Sequence, residues 1–253
     1  MDFAVLVGLF IGFGSIITSV FLEHGRITAY VNLAALVIII GGTLSATTIS
    51  TSIKDILNLP KLLKVLFSNK INRYKDIIDE MTKIALSIRK NGYLSVDDKV
   101  KEINDPIFKK GLQLIADGVD SSDISEIINS EINAMEKRHK KGIEIFSMMG
   151  GYAPTMGIIG TVLGLVNMLM SFGTSEGESL GKSVAVAFIA TLYGIFFANL
   201  IFLPISSNLK AKSTQEIIGK ELILEGLLAV HAGLSPKMVE EKMKSFLGTV
   251  KTK

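Results

Sequence analysis

The chain has 253 residues, 48% of them apolar, with 27 Lys/Arg against 24 Asp/Glu, three His and no Cys. The lack of cysteine excludes a disulfide framework, thiolate metal ligation, an iron–sulfur centre and a cysteine nucleophile, and His24, His139 and His231 share no helical face on which to build a zinc site. A net charge of +3 makes no electrostatic case for nucleic acid, whereas a mean hydropathy of +0.44 is too high for an ordinary soluble protein.

The charged side chains explain that hydropathy by where they are missing. All of them avoid Phe3–Leu22, Val31–Ser50, Ile145–Phe172 and Ser183–Leu209, segments of 20, 20, 28 and 27 residues. A charge-free apolar run of about 20 residues crosses a hydrocarbon core of ~30 Å as a helix. Four transmembrane helices are therefore predicted. The first follows only Asp2, with no basic stretch before it, and is too long for the apolar core of a signal peptide, so it is expected to be retained.

Topology follows from the connections. Glu23, His24 and Arg26 lie between spans one and two, and Gly173–Lys182, with Glu176, Glu178 and Lys182, lies between spans three and four. Residues 51–143 instead carry 17 Lys/Arg and residues 210–253 carry 8. Lys54, Lys61, Lys64, Lys137, Arg138, Lys140, Lys141, Lys210 and Lys212 flank the membrane ends. The positive-inside rule then puts both termini and residues 51–143 in the cytosol. The expected organisation is spans one and two in 1–50, a cytosolic helical domain in 51–143, spans three and four in 144–209, and a cytosolic helical tail in 210–253.

Within the domain, Tyr74, Ile77, Ile78, Met81, Ile84, Ala85 and Ile88 recur at steps of three and four, an amphipathic helix stopped near Gly92. Ser95-Val96-Asp97-Asp98 resembles a capping box. Pro106 opens a short helix ending around Gly118, and Ser122 or Asp123 caps a long one with the apolar face Ile124, Ile127, Ile128, Ile132 and Met135. Nothing between 130 and 149 breaks that helix, so it is expected to run into the third span. In the tail, Ser213-x-x-Glu216 reads as a capping box before Ile217, Ile218, Leu222, Ile223 and Leu227, and Ser235-Pro236 as a cap and first-turn proline. No strand pattern is present. The fold class is all-α: a polytopic membrane protein with four transmembrane helices and a helical cytosolic domain.

Two tempting sites fail on inspection. Gly177-Glu178-Ser179-Leu180-Gly181-Lys182-Ser183 has three residues between its glycines where a phosphate loop needs four, and it follows a membrane helix where that loop follows a strand. It reads as a turn with a helix cap. No Ser/His/Asp set or carboxylate pair stands out, so no enzymatic activity and no cofactor are expected.

The spans themselves are more informative. Ion transporters usually hold an Asp, Glu, Lys, Arg or His inside the membrane, and none occurs in these segments. Either the chain carries no ion or another subunit supplies the group. Gly150, Gly151, Gly157, Gly160 and Gly164 in the third span, and Ala190, Gly194 and Ala198 in the fourth, permit close helix approach, to partners or within one bundle. Thr161 lies ~24 Å from the cytosolic start of span three and Thr191 ~27 Å from the cytosolic end of span four, so the two hydroxyls can be level. They bond backbone carbonyls or line a hydrated path. Pro154 and Pro204 fall in the cytosolic halves of their helices, where each frees a carbonyl and permits bending.

At these residues the chain resembles the MotA family, the A subunits of the bacterial flagellar stator. The match is clearest at Ala153-Pro154-Thr155-Met156-Gly157-Ile158-Ile159-Gly160-Thr161-Val162-Leu163-Gly164-Leu165, a signature shared with the ExbB/TolQ proton-channel group. Ala190-Thr191-Leu192-Tyr193-Gly194 through Asn199 to Pro204 matches as well. ExbB and TolQ proteins usually have three spans, so four favours MotA. The resemblance implies a homo-oligomer, a pentamer, around the membrane helices of two MotB-like B subunits, whose Asp carries the ion. It implies Thr155, Thr161 and Thr191 along the ion path, Pro154 and Pro204 in conformational coupling, and Arg89, Asp97 and Glu131 facing FliG of the rotor. Asp97 stands where some relatives have Glu. As bare surface charges Arg89 and Asp97 would be worth about 0–1 kcal/mol if paired. Ala190 beside Thr191, where sodium-driven relatives tend to carry a second threonine, leans towards protons. Two other readings stay open: an ExbB/TolQ-type energiser of an envelope transport system, and a membrane scaffold that conducts nothing.

Overall fold

The computed structural model describes residues 3–67, 74–92, 103–170 and 177–250. All regular structure among them is helical. The order is α1 (Phe3–Leu22), a 3-10 turn (Ile27–Tyr30), α2 (Leu33–Ser50), α3 (Ile53–Leu57), α4 (Leu59–Phe67), α5 (Tyr74–Asn91), α6 (Pro106–Ala116), α7 (Ser121–Met170), α8 (Gly177–Phe196), a π-helical segment (Phe197–Phe202), α9 (Leu203–His231) and α10 (Pro236–Val250). Four of these helical stretches are long and apolar enough to cross a membrane: α1, α2, α7, and α8 continued through the π segment into α9.

The chain divides into two compact units, Met1–Asn69 with Lys140–Lys210 and Lys70–His139 with Ala211–Lys253. Helices α7 and α9 contribute to both. Residues 211–253, read above as a tail, share their unit with residues 70–139.

That second unit has one apolar core. Ile78, Met81 and Ile84 of α5 meet Phe108 and Leu112 of α6, Ile124 and Ile128 of α7, Leu222 and Leu227 of α9, and Val239 and Met243 of α10, all buried. Burying each side chain of this size contributes about 1.5–3 kcal/mol. The three-and-four spacing picked out most of them, because a helix laid on a core needs one apolar stripe. Gly92, at φ +76°, closes α5 in the left-handed conformation that only glycine adopts without strain. Asp105 starts α6: one carboxylate oxygen accepts from the Ile107 and Phe108 N–H groups at 3.1 and 3.2 Å, with Pro106 at the first turn.

Three boundaries differ from the sequence reading. Helix α7 begins at Ser121, so Ser122 and Asp123 lie inside its first turn, and the Asp120 carbonyl accepts the first bond, from Ile124, at 3.0 Å. Ser213 caps nothing. It sits within α9, since no Gly or Pro stands between Pro204 and Ser213 to end the helix there, and its hydroxyl instead bonds His139 Nδ1 at 3.0 Å. Gly177–Lys182 is already the start of α8 and not a turn. The expected continuity of the long helix into the third span is present, as α7 runs 50 residues without interruption. The Ser95–Asp98 capping box lies outside the described residues.

In the membrane-type unit, α2 buries Ala35 and Ile39 against Ile189, Ala190, Ala153 and Ala198. Helix α1 touches the π segment side through Phe13, edge-on to Phe196 with ring centroids 5.1 Å apart, and through Gly12, beside Leu200. Many large apolar side chains of α1, α2 and α7 remain exposed, as a hydrocarbon environment allows.

The second oxygen of Asp105 is ion-paired with Lys220 of α9, whose side chain is only 11% exposed. Asp105→Ala is therefore expected to cost about 2–4 kcal/mol, by losing a helix cap and stranding a buried ammonium. Asp105→Asn keeps the cap and should cost clearly less. Thermal unfolding of the purified protein compares them, and equal losses would show that the cap contributes nothing.

Candidate functional site

The third and fourth spans approach each other along a strip of small residues. A Cβ on Gly194 would lie 2.6 Å from the Ala153 carbonyl oxygen and 3.2 Å from the Pro154 Cα. One on Gly157 would lie 3.1 Å from the Ala190 carbonyl, one on Gly160 2.6 Å from the Ala190 methyl, and one on Gly164 2.8 Å from the Ala187 methyl. Gly157, Gly160 and Gly164 of α7 thus pack on α8 of the same chain, whereas Gly150 faces Leu203 of α9 and Gly151 has nothing within 4 Å of its Cβ position. The opposite face of α7, with Ile158, Val162 and Leu169, stays exposed.

Close approach brings the two threonines together. Thr161 Oγ1 is hydrogen-bonded to Thr191 Oγ1 and lies 3.0 Å from the Gly157 carbonyl and 3.1 Å from the Ala187 carbonyl. A hydroxyl has one proton and two lone pairs. Because both carbonyls are acceptors, Thr161 donates to them and Thr191 must donate to Thr161. The level placement expected from helix rise is therefore met. The Ala187 carbonyl, four residues before Thr191, is the one Thr191 would ordinarily bond, and Thr161 reaches it across the interface.

Thr155 is exposed on α7, and its hydroxyl donates to the Tyr152 carbonyl at 2.7 Å. It lies apart from the threonine pair, six residues before Thr161. Pro154 sits inside α7, where it removes the N–H that the Gly150 carbonyl would accept in a regular helix. Pro204 lies in the first turn of α9, directly after the π segment, in which the Leu203 N–H bonds the Ala198 carbonyl, five residues back. A π turn is a common accommodation where the regular helical ladder is interrupted.

Three further hydroxyl contacts carried no signal in charge or spacing. Tyr193 of α8 donates to the Tyr30 carbonyl at 2.6 Å and accepts from the Asn32 N–H at 3.2 Å, tying the connection between α1 and α2 to the fourth span. Tyr152 and Ser50 share a hydrogen bond at 2.8 Å between α7 and α2. Ser206 donates to the Ile143 carbonyl at 3.0 Å. A phenol inside an apolar span could have prompted the search for Tyr193, because a desolvated Tyr O–H needs a partner.

In the second unit, Arg89 is exposed in the last turn of α5. It borders a concavity of about 440 Å³ lined also by Ala85, Ile88, Val230, Gly233, Leu234 and Ser235. Glu131 of α7 is ion-paired with Lys110 of α6. Asp97 lies outside the described residues. Among the described residues no group of three His, Asp or Glu could hold a metal ion.

A bundle of four membrane-crossing helices, with no Asp, Glu, Lys, Arg or His in its uncharged stretches and a hydroxyl pair between the last two, defines a multi-pass membrane protein of the channel-forming kind. The chain belongs to the MotA/TolQ/ExbB proton channel family, whose model matches residues 99–221, while the model for the motility protein A N-terminal region matches residues 6–92. It is 36% identical to motility protein A of Bacillus subtilis over 98% of this chain and 91% of that one. It is 31% identical to chemotaxis protein PomA of Vibrio alginolyticus over 98% and 96%. Among solved structures, the C. jejuni MotAB structure superposes with a TM-score of 0.91 at 26% identity, covering 97% of this chain and 96% of that one. The flagellar MotAB stator complex from Bacillus subtilis gives 0.86 at 36% identity, covering 94% and 92%.

Because the obstacle at Gly194 is backbone, Gly194→Ala must push α7 and α8 apart and is expected to cost about 1–3 kcal/mol. Gly181 in the same helix has nothing within 4 Å of its Cβ position, so Gly181→Ala should be neutral or stabilising. Thermal stability of the two purified variants makes the comparison; equal effects would contradict the close contact.

Proposed function

We propose that this chain is the A subunit of a flagellar stator, assembling as a homo-oligomer with a MotB-like B subunit into a channel that converts ion-motive force into torque on the rotor. The observation that carries the reading is the third and fourth span pair. It is closely packed, free of ionisable groups over its uncharged stretches and bridged by Thr161 and Thr191. Such a pair can supply hydroxyls to a path but cannot itself hold an ion in low dielectric. The ion-carrying Asp then comes from the B subunit. The match of residues 6–92 to the motility protein A N-terminal region supports this reading over an envelope energiser of ExbB/TolQ type.

The finer assignments belong to the same proposal. Five copies surround the membrane helices of two B subunits within the cell membrane, with both termini and residues 51–143 in the cytosol. Thr155, Thr161 and Thr191 face the ion path, and protons are the coupling ion, since Ala190 packs on Gly160 where a second threonine would otherwise stand. Bending at Pro154 and Pro204 links ion passage to movement of the helices that continue beyond the membrane. Arg89, Asp97 and Glu131 meet FliG. The concavity beside Arg89 supports that role, because it offers apolar walls around an exposed guanidinium.

One experiment separates channel from rotor contact. In the complex with its B subunit, Thr191→Val removes the donor to Thr161 and is expected to lower proton flux about five- to tenfold, the equivalent of one hydrogen bond of roughly 1 kcal/mol. Arg89→Glu should leave flux unchanged, abolish swimming, and be partly rescued by charge reversal on FliG. Unchanged flux in Thr191→Val, or normal swimming in Arg89→Glu, would count against the reading.

A further inference from the structure

The second span ends at Ser50, and only Thr51 and Ser52 separate it from α3. Two extended residues reach at most about 7 Å, while the polar layer beside the hydrocarbon core is roughly 5–8 Å thick. Helix α3 therefore starts within that layer. Ser52 caps it, accepting from the Lys54 N–H at 3.4 Å, and α4 follows after a single residue, Asn58.

These two short helices are amphipathic in an unusual sense. Their inward side packs Ile56, Leu59 and Leu62 on Ile145, Phe146 and Leu209, and Leu62 seats against Gly142 of α7. Their outward side is still apolar: Ile53 is 65% exposed, Leu57 72% and Leu63 38%. It is also basic, with Lys54, Lys61 and Lys64 exposed among them and Lys140 and Lys141 next to the Gly142 contact. Glu144 lies 4.0 Å from Lys140 and Asp55 is half-buried, so the lysines outnumber the local acids. Water alone would not favour exposed Ile and Leu beside lysines. A membrane surface favours both: apolar side chains enter the acyl boundary while lysine stems lie along it and their ammonium groups meet phosphates.

We propose that α3 and α4 form a binding surface for anionic phospholipid headgroups, with Ile53 and Leu57 inserted and Lys54, Lys61 and Lys64 contacting the phosphates. The inference stands on the multi-pass reading and is independent of the stator assignment. Each basic side chain near an anionic surface is worth about fivefold in affinity, so three give a strong preference for anionic over zwitterionic lipid.

The test uses the full-length chain in nanodiscs of phosphatidylcholine, or of phosphatidylcholine mixed with phosphatidylglycerol. The chain has no Cys, so Leu57→Cys takes one nitroxide label on this chain and exposed Lys237→Cys on α10 serves as reference. The expected result is a Leu57 label accessible to oxygen and shielded from an aqueous nickel chelate, with the opposite at Lys237. Native mass spectrometry should find phosphatidylglycerol retained about a hundredfold over phosphatidylcholine, and the preference lost in Lys54→Gln/Lys61→Gln/Lys64→Gln. A chelate-accessible Leu57 label, equal retention of the two lipids, or an unchanged preference in the triple variant would overturn the proposal.

Discussion

Hydrocarbon offers no water, so every polar group placed in it must find a partner inside the protein or forfeit several kcal/mol. Much of the membrane-type unit can be understood from that constraint. Thr47, Thr48 and Thr51 fold their hydroxyls back onto carbonyls four residues earlier at 2.7–2.8 Å. Tyr193 closes on the Tyr30 carbonyl and the Asn32 N–H, and Ser50 on Tyr152. Thr161 bonds two carbonyls and Thr191 at once, which is possible only because glycine and alanine let α7 and α8 come into backbone contact. The small-residue strip and the hydroxyl pair are therefore one feature. A larger residue at Gly157 or Gly194 would separate the helices and strand the hydroxyls together.

The same constraint limits what the chain can do alone. Threonine hydroxyls can solvate an ion but do not bind and release a proton. The group that titrates must come from elsewhere, and the exposed face of α7, with Ile158, Val162 and Leu169, is available for another helix. The residues proposed for function in the two units differ in chemistry. One unit has part-buried hydroxyls between spans, and the other has exposed charge, with Arg89 beside an apolar concavity.

The spans were legible because charge avoidance over twenty or more residues has few other physical causes. The apolar stripes of α5 and α7 were legible because helix period is a strong signal when Ile and Met repeat it. Local capping rules were weaker. Ser213-x-x-Glu216 has the residues of a capping box, yet α9 runs straight through it and Ser213 bonds His139 instead. Ser and Thr choose between cap, backbone and neighbour according to what packs beside them, and a single sequence does not contain that neighbour. For the same reason the glycine pattern could not say whether its partner was α8 or another subunit. Tyr193 lies within the matching motif of the fourth span, but its contact is with a carbonyl 163 positions away along the chain. Arg89 was singled out only through family resemblance, because an exposed arginine at a helix end is ordinary.

The central claim is that these four spans shape an ion path without carrying the ion. Its most direct test is proton flux into vesicles containing this chain alone, compared with vesicles containing it together with its B subunit. The account predicts no flux above empty vesicles for the chain alone and clear flux for the pair. Conduction by the chain alone would contradict it, since no Asp, Glu, Lys, Arg or His in its uncharged spans could then account for the passage.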